Sequence, residues 1–142
     1  MAASIDLNLP ANLEAIPRVS FEIEQCMRSL GFFDEQILDL QLAVEEAITN
    51  SVLHGYNGMP GTLAIRCRAG QDEVVVEIAD SAPQFDPLSL PPPDLSEDIR
   101  EREIGGLGVF LIRKVTDSVT YRYEDAHNVL TLVKKKPVVP QE

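Results

Sequence analysis

Residues 62–80, "TLAIRCRAGQDEVVVEIAD", constrain the fold of this chain more than any other stretch. In the first run Leu63, Ile65 and Cys67 lie on one side, and Thr62, Ala64, Arg66 and Arg68 on the other. "GQD" then reverses the chain and "EVVVEIAD" returns. A period of two with one apolar and one polar side describes a hairpin in a sheet that has one face covered and the other in water. A second pair follows near the C-terminus, where "SVTYRY" and "VLTLVKKK" flank a turn within "EDAHN", and "SIDLNL" (4–9) reads as a short strand ended by Pro10.

The covering layer is written in a different period. Leu13, Ile16, Val19, Ile23, Met27 and Leu30 recur at three and four, which predicts a helix from about Asn12, its candidate N-cap, to Leu30, with Gly31 as the stop. Asp34 is expected to cap a second helix reaching His54 before the "GYNGMPG" loop. "IGGLGVFLIRKVTD" (104–117) predicts a third. Helices grouped between strand pairs point to an α+β sandwich: a mixed, mostly antiparallel sheet with helices on one face. For 142 residues one domain over 1–136 is expected, with 137–142 a frayed tail. No period survives from Ser81 to Glu103, a stretch rich in proline and charge, and a loop of that length in a compact domain usually has a function.

Composition narrows the partners. With 23 acidic against 12 basic residues the net charge is −11, which repels phosphate backbones and argues against direct binding of DNA or RNA. Cys26 and Cys67 lack the spacing of a zinc site and suit a reducing compartment. "MAASIDLNLP" has no basic segment leading into an apolar core, and no apolar run approaches the ~18 residues of a membrane span. The expectation is a cytoplasmic protein with no membrane partner.

Within the second helix, Ile37, Leu40, Val44, Ala47 and Ile48 cluster on one side and should face the sheet, while Glu46 and Asn50 fall nearly opposite, flanked by Leu42, Leu53 and Ala43. Two readings fit this stripe. It is either a solvated face with some exposed leucines, or a carboxylate and a carboxamide one turn apart that reach the same small polar ligand.

"GGLG" (105–108) enters a helix, where glycine allows close backbone approach and the first free amides form an anion site. It is neither a dinucleotide-binding fingerprint, since no strand precedes it, nor a P-loop, since no Gly-Lys-Ser/Thr follows. Asp80 ends the strand "VVVEIAD" and puts an acceptor at the rim of the sheet. It is either a turn former or a charge-assisted acceptor for an exocyclic amine such as that of adenine.

Taken in order, "EEAITNSVLHGY", "VEIADSAPQFDP" and "GGLGVFLIRKVTD" resemble the N box and the two glycine boxes of the GHKL ATPase and kinase superfamily. The resemblance is best to its short anti-sigma factor serine kinases of the RsbW and SpoIIAB type, and it covers nearly the whole chain. It implies a Bergerat fold, ATP and Mg²⁺ as cofactors, and a role for each matching residue. Glu46 resembles the general base, Asn50 the Mg²⁺-binding residue and Asp80 the adenine-reading aspartate. Ala82 and Phe85 fall in the first glycine box, while Gly105, Gly106, Leu107 and Gly108 form the phosphate-cradling turn. Thr131 matches the final-strand threonine that helps hold adenine, and residues from about 87 to 104 match the ATP lid. One departure stands out: the first glycine box usually reads Asp-x-Gly, whereas here Asp80-Ser81-Ala82 adds a methyl.

The resemblance further implies phosphorylation of a serine or threonine on an anti-anti-sigma partner of the STAS type, sequestration of a sigma factor, and homodimerisation. The competing expectation, motivated by Ala82, is a non-catalytic ATP-binding or partner-switching module that binds a regulator without phosphoryl transfer.

Overall fold

The computed structural model describes residues 2–89 and 104–137. Five strands, β1 (Ala3–Pro10), β2 (Thr62–Ala69), β3 (Glu73–Asp80), β4 (Ser118–Glu124) and β5 (His127–Lys135), form one sheet in the order β1-β2-β3-β5-β4. Three helices, α1 (Ala15–Ser29), α2 (Asp34–Asn50) and α3 (Ile104–Val115), join them.

Every neighbouring pair is antiparallel, where the sequence predicted a mixed sheet. The connections explain the difference. Two helical passes separate β1 from β2, so the chain re-enters against its first direction. The single-helix crossover leaves β4 parallel to β3, but β5 is inserted between them.

The registers set the faces. Leu63, Ile65 and Cys67 pair with Asp80, Ile78 and Val76. Ile78 and Asp80 in turn pair with Leu130 and Asn128. These residues share the face covered by the helices, where Val19, Ile23, Met27, Ile37, Leu40, Val44, Ile48, Leu63, Ile65, Val76 and Leu132 are almost wholly buried. Each large aliphatic chain so buried contributes about 1.5–3 kcal/mol. Thr62, Ala64, Arg66 and Arg68 lie exposed on the other face, where Asp6 bridges to both arginines across the strand pair.

The helix ends are made differently from the sequence expectation. Asn12 does not cap α1 directly; its Oδ1 accepts the Glu14 N–H at 2.8 Å in a side-chain turn before the helix starts at Ala15. Pro17 falls in the first turn, where its missing N–H has no helical partner to lose. Asp34 is already inside α2, and it is Gln36 Oε1 that takes the N–H of the preceding Phe33, at 3.1 Å. Gly31, at φ +80°, ends α1 as expected. Pro10 pairs with Thr62 as the last residue of β1, which an edge strand tolerates.

β4 and β5 meet through two residues, Asp125 and Ala126, since Glu124 pairs with His127. Both have positive φ, 51° and 61°, the mirror-image turn that matches strand twist and favours glycine at its second position. Ala126→Gly should therefore stabilise the protein by about 0.5–1 kcal/mol through relief of the left-handed strain, partly offset by a more flexible unfolded chain. Urea denaturation should show a higher midpoint with unchanged slope.

Candidate functional site

The polar stripe of α2 does not face open water; it lies under α3. Glu46 and Asn50 are half-buried, and Gly108 is buried against them. A methyl built on Gly108 would stand 3.0 Å from Glu46 Oε2 and 3.3–3.4 Å from the Asn50 carboxamide atoms, so only glycine lets the α3 backbone come this near both side chains. Seven residues on, the same helix pair is clamped again. Lys134 Nζ donates to Asp39 Oδ2 and to the Val115 carbonyl, each at 2.9 Å, joining β5 to α2 and to the C-terminus of α3, where a cation is favourable. Glu46 with Gly108 and Asp39 with Val115 are equally spaced along two antiparallel helices, and the two contacts lie about 10 Å apart.

Beyond Asn50 the helix widens into one π turn, Ser51–Gly55, closed by Tyr56 N–H to the Ser51 carbonyl at 2.9 Å. At the start of this turn the buried Ser51 meets the sheet, where its hydroxyl donates to Asp80 Oδ2 at 2.6 Å. Asp80 Oδ1 accepts the Ala82 N–H at 3.1 Å and the Asn128 Nδ2 at 2.9 Å. Tyr56 adds a second tie, accepting the Ser81 N–H and donating to the Thr62 carbonyl, each at 2.7 Å. The carboxylate at the end of β3 is thus joined to the residue directly after Asn50.

Ala82, where glycine was expected, is 3% exposed, and its methyl is turned toward Gly55, on which an added Cβ would lie 3.2 Å away. It is not among the residues with positive φ, which accounts for the tolerance of a side chain there.

The structure therefore brings Glu46, Asn50 and Gly108 into one crevice, with Asp80, Ala82 and Phe85 at its sheet end. The backbone of Gly105, Gly106 and Leu107 lies in the first turn of α3. Thr131 is a correction: it pairs with Glu77 and Thr120 on the sheet face away from the helices, and its Oγ1 accepts from Arg122 at 3.3 Å. Side chains alternate across a strand, so Thr131 cannot share a ligand with Asp80. Of the expected lid, residues 90–103 lie outside the described residues; Pro87–Ser89 form one 3₁₀ turn. Ser51, Tyr121 and Asn128 were missed by the sequence reading. The signal was present only for Asn128, a polar residue in a strand of valines and leucines.

Burial holds the Glu46 carboxyl above its ordinary range, and the neighbouring Glu45 charge adds to the shift. Such a group suits proton acceptance better than an exposed glutamate. Burial also raises Tyr121, helped by the Asp86 charge, so its phenol stays a donor. Among the described residues no group of three His, Cys, Asp or Glu side chains is placed to hold a metal ion, and no helix is long and apolar enough to cross a membrane.

Residues 9–134 match the family described as Histidine kinase-like ATPase domain. The chain is 34% identical over 135 residues to Serine-protein kinase RsbW of Listeria monocytogenes, covering 92% of this chain and 86% of that protein. It is 33% identical to the protein of the same name from Halalkalibacterium halodurans, with 92% and 82% covered, and 28% identical to that of Bacillus cereus, with 89% and 81% covered. Among solved structures, the RsbU and RsbW domains of Rv1364c from Mycobacterium tuberculosis superpose with a TM-score of 0.62 at 17% identity, over 95% of this chain and 33% of that one, a likeness of fold. The chain belongs to the histidine kinase-like ATPase family and, within it, is homologous to the RsbW-type kinases.

A half-buried carboxylate has a measurable cost. Because the folded state raises the affinity of Glu46 for its proton, ionisation opposes folding above that raised value, and the penalty vanishes once pH falls below the unfolded one. Glu46→Gln should melt higher than the wild type at pH 7. The gap should close as pH is lowered toward the ordinary glutamate range, as followed by circular dichroism.

Proposed function

We propose that this chain is an ATP-dependent serine/threonine protein kinase of the partner-switching kind. It phosphorylates a serine or threonine on an anti-anti-sigma partner of the STAS type, and it binds a sigma factor. The observation that carries this reading is the close contact of Gly108 with Glu46 and Asn50, which joins two motifs far apart in sequence at the mouth of a helix. Membership of the family and the printed names of the RsbW relatives support the kinase class.

The donors present fit Mg·ATP. A carboxamide oxygen from Asn50 is a hard ligand, and Mg²⁺ usually takes one or two protein oxygens and completes its octahedron with phosphates and water. The first turn of α3, free of Cβ atoms at residues 105, 106 and 108, leaves room for phosphate beside backbone amides. Asp80 Oδ2, which accepts one hydrogen bond from Ser51, keeps lone-pair capacity for an exocyclic amine. Bound Mg²⁺ would offset negative charge on the phosphates.

In this reading Glu46 takes the proton of the acceptor hydroxyl. Asn50 orients the cation, the α3 amides stabilise the transferring group, and Asp80 selects adenine. The non-catalytic alternative rested on Ala82, and the burial of that methyl against Gly55 supports the reading that it does not crowd the nucleotide.

Calorimetry with Mg·ATP should show binding that Asp80→Asn weakens by about 1–3 kcal/mol. Glu46→Gln should keep ATP affinity within a few fold while phosphoryl transfer to the partner falls by roughly 10²–10⁴. Asn50→Ala should lose both. Absence of heat at millimolar ATP overturns the nucleotide site, and a wild-type transfer rate from Glu46→Gln removes the base.

A further inference from the structure

Asn128 is the most heavily bonded buried side chain among the described residues. It is 8% exposed, lies directly across from Asp80 in the β3–β5 ladder, and shares the helix-covered face with it. Its Nδ2 reaches Asp80 Oδ1 at 2.9 Å, the Ala82 carbonyl at 3.0 Å and the Pro83 carbonyl at 3.2 Å. Its Oδ1 accepts the Phe85 N–H at 3.0 Å and the Tyr121 hydroxyl at 2.6 Å. The orientation of this amide is fixed by chemistry: a carboxylate only accepts and a backbone N–H only donates, so nitrogen must face Asp80 and oxygen must face Phe85. With two hydrogens for three acceptors, one goes to Asp80 and the other is shared between the loop carbonyls.

We infer that Asn128 is a positioning residue for base selection: it locks the Asp80 carboxylate by Oδ1, leaving Oδ2 to face the α2 side, and anchors the segment Ala82–Phe85 that leads into the loop. The inference rests on the proposed reading of Asp80 as the group that meets the nucleotide base.

Without Asn128 the carboxylate keeps Ser51 on Oδ2 but holds Oδ1 only through the Ala82 N–H, on a loop that has itself lost its anchor, so both the bond to an amine and the discrimination against a carbonyl at that place weaken. Adenine presents an amine there and guanine a carbonyl oxygen, which a locked carboxylate repels. Loss of the lock therefore acts unequally on the two bases. Tyr121 supplies one of the five contacts and Phe85 another, so each contact can be tested separately.

The test is titration calorimetry of the full chain with Mg·ATP and Mg·GTP, alongside amide exchange at Phe85. Asn128→Ala should weaken ATP about tenfold and GTP by twofold or less, which narrows the ratio of the two affinities. The Phe85 amide should exchange faster. Val19→Ala, a core truncation on α1, should lower the melting temperature and leave the ratio alone. Should Asn128→Ala fail to fold, Asn128→Ser, which keeps a polar group but is too short to hold the Asp80 contact, and Tyr121→Phe carry the measurement; each should narrow the ratio by a few fold. An unchanged ratio in variants that bind ATP overturns the inference, as does a control that shifts it equally. A wild-type chain that binds neither nucleotide overturns the reading on which base selection rests, while Phe85 exchange still reports separately whether Asn128 anchors the loop.

Discussion

The approach of α3 to α2 governs the rest of this molecule. A helix pair normally keeps its backbones apart by the side chains between them, and here the separation collapses at one place because Gly108 has none. Ala43, wholly buried on the same flank of α2, keeps the seam narrow one turn from the Lys134 clamp. A register error of even one residue would carry Gly108 away from Glu46 and set a bulkier neighbour against it. The clamp at Val115 and Asp39 fixes that register from the far end. Among the described residues the site is therefore held by packing and by one half-buried lysine.

A second constraint acts at the sheet end. Ending β3 on an aspartate that points into the covered face would leave a desolvated charge unless every neighbour supplied a donor. Three do so, from three different elements: Ser51 from the π turn, Ala82 from the following loop and Asn128 from β5. Ser51 reaches Asp80 from the residue where α2 passes into the π turn. The Ala82 methyl is likewise matched by Gly55 opposite it, where an added Cβ would stand 3.2 Å away.

Much of this was legible because it depended on period. The hairpin of β2 and β3, the buried side of α2 and the placement of Glu46 and Asn50 on one stripe all follow from periods of 2 and 3.6. What escaped depended on partners distant in sequence. Nothing in "NVLTLV" tells that Asn128 faces Asp80 until the β3–β5 register is known, and Thr131 shows the reverse: three residues along the strand, an odd number, puts it on the other face. The cap of α2 was missed for a local reason, because Gln36 reaches back to Phe33 and takes the place that Asp34 was expected to fill. The antiparallel direction of every pair followed from β5 inserting between β3 and β4, and strand order is not written in periodicity.

Three local choices in this chain oppose stability. A glycine sits inside a helix, at about 1 kcal/mol relative to alanine. A carboxylate is half-buried beside another acid, and a helix ends in a π turn, a form far rarer than the α-helix. Were they scattered, each would be an unexplained defect. They converge instead on one crevice, since Gly108 touches Glu46, the glutamate lies one turn from Asn50, and the π turn begins at the next residue. A sequence selected for stability alone would replace all three with alanine, glutamine and a regular helical turn. Such replacements would fill the space beside Asn50 and remove the carboxylate next to it, and that is the physical ground for placing the chemistry of this protein there.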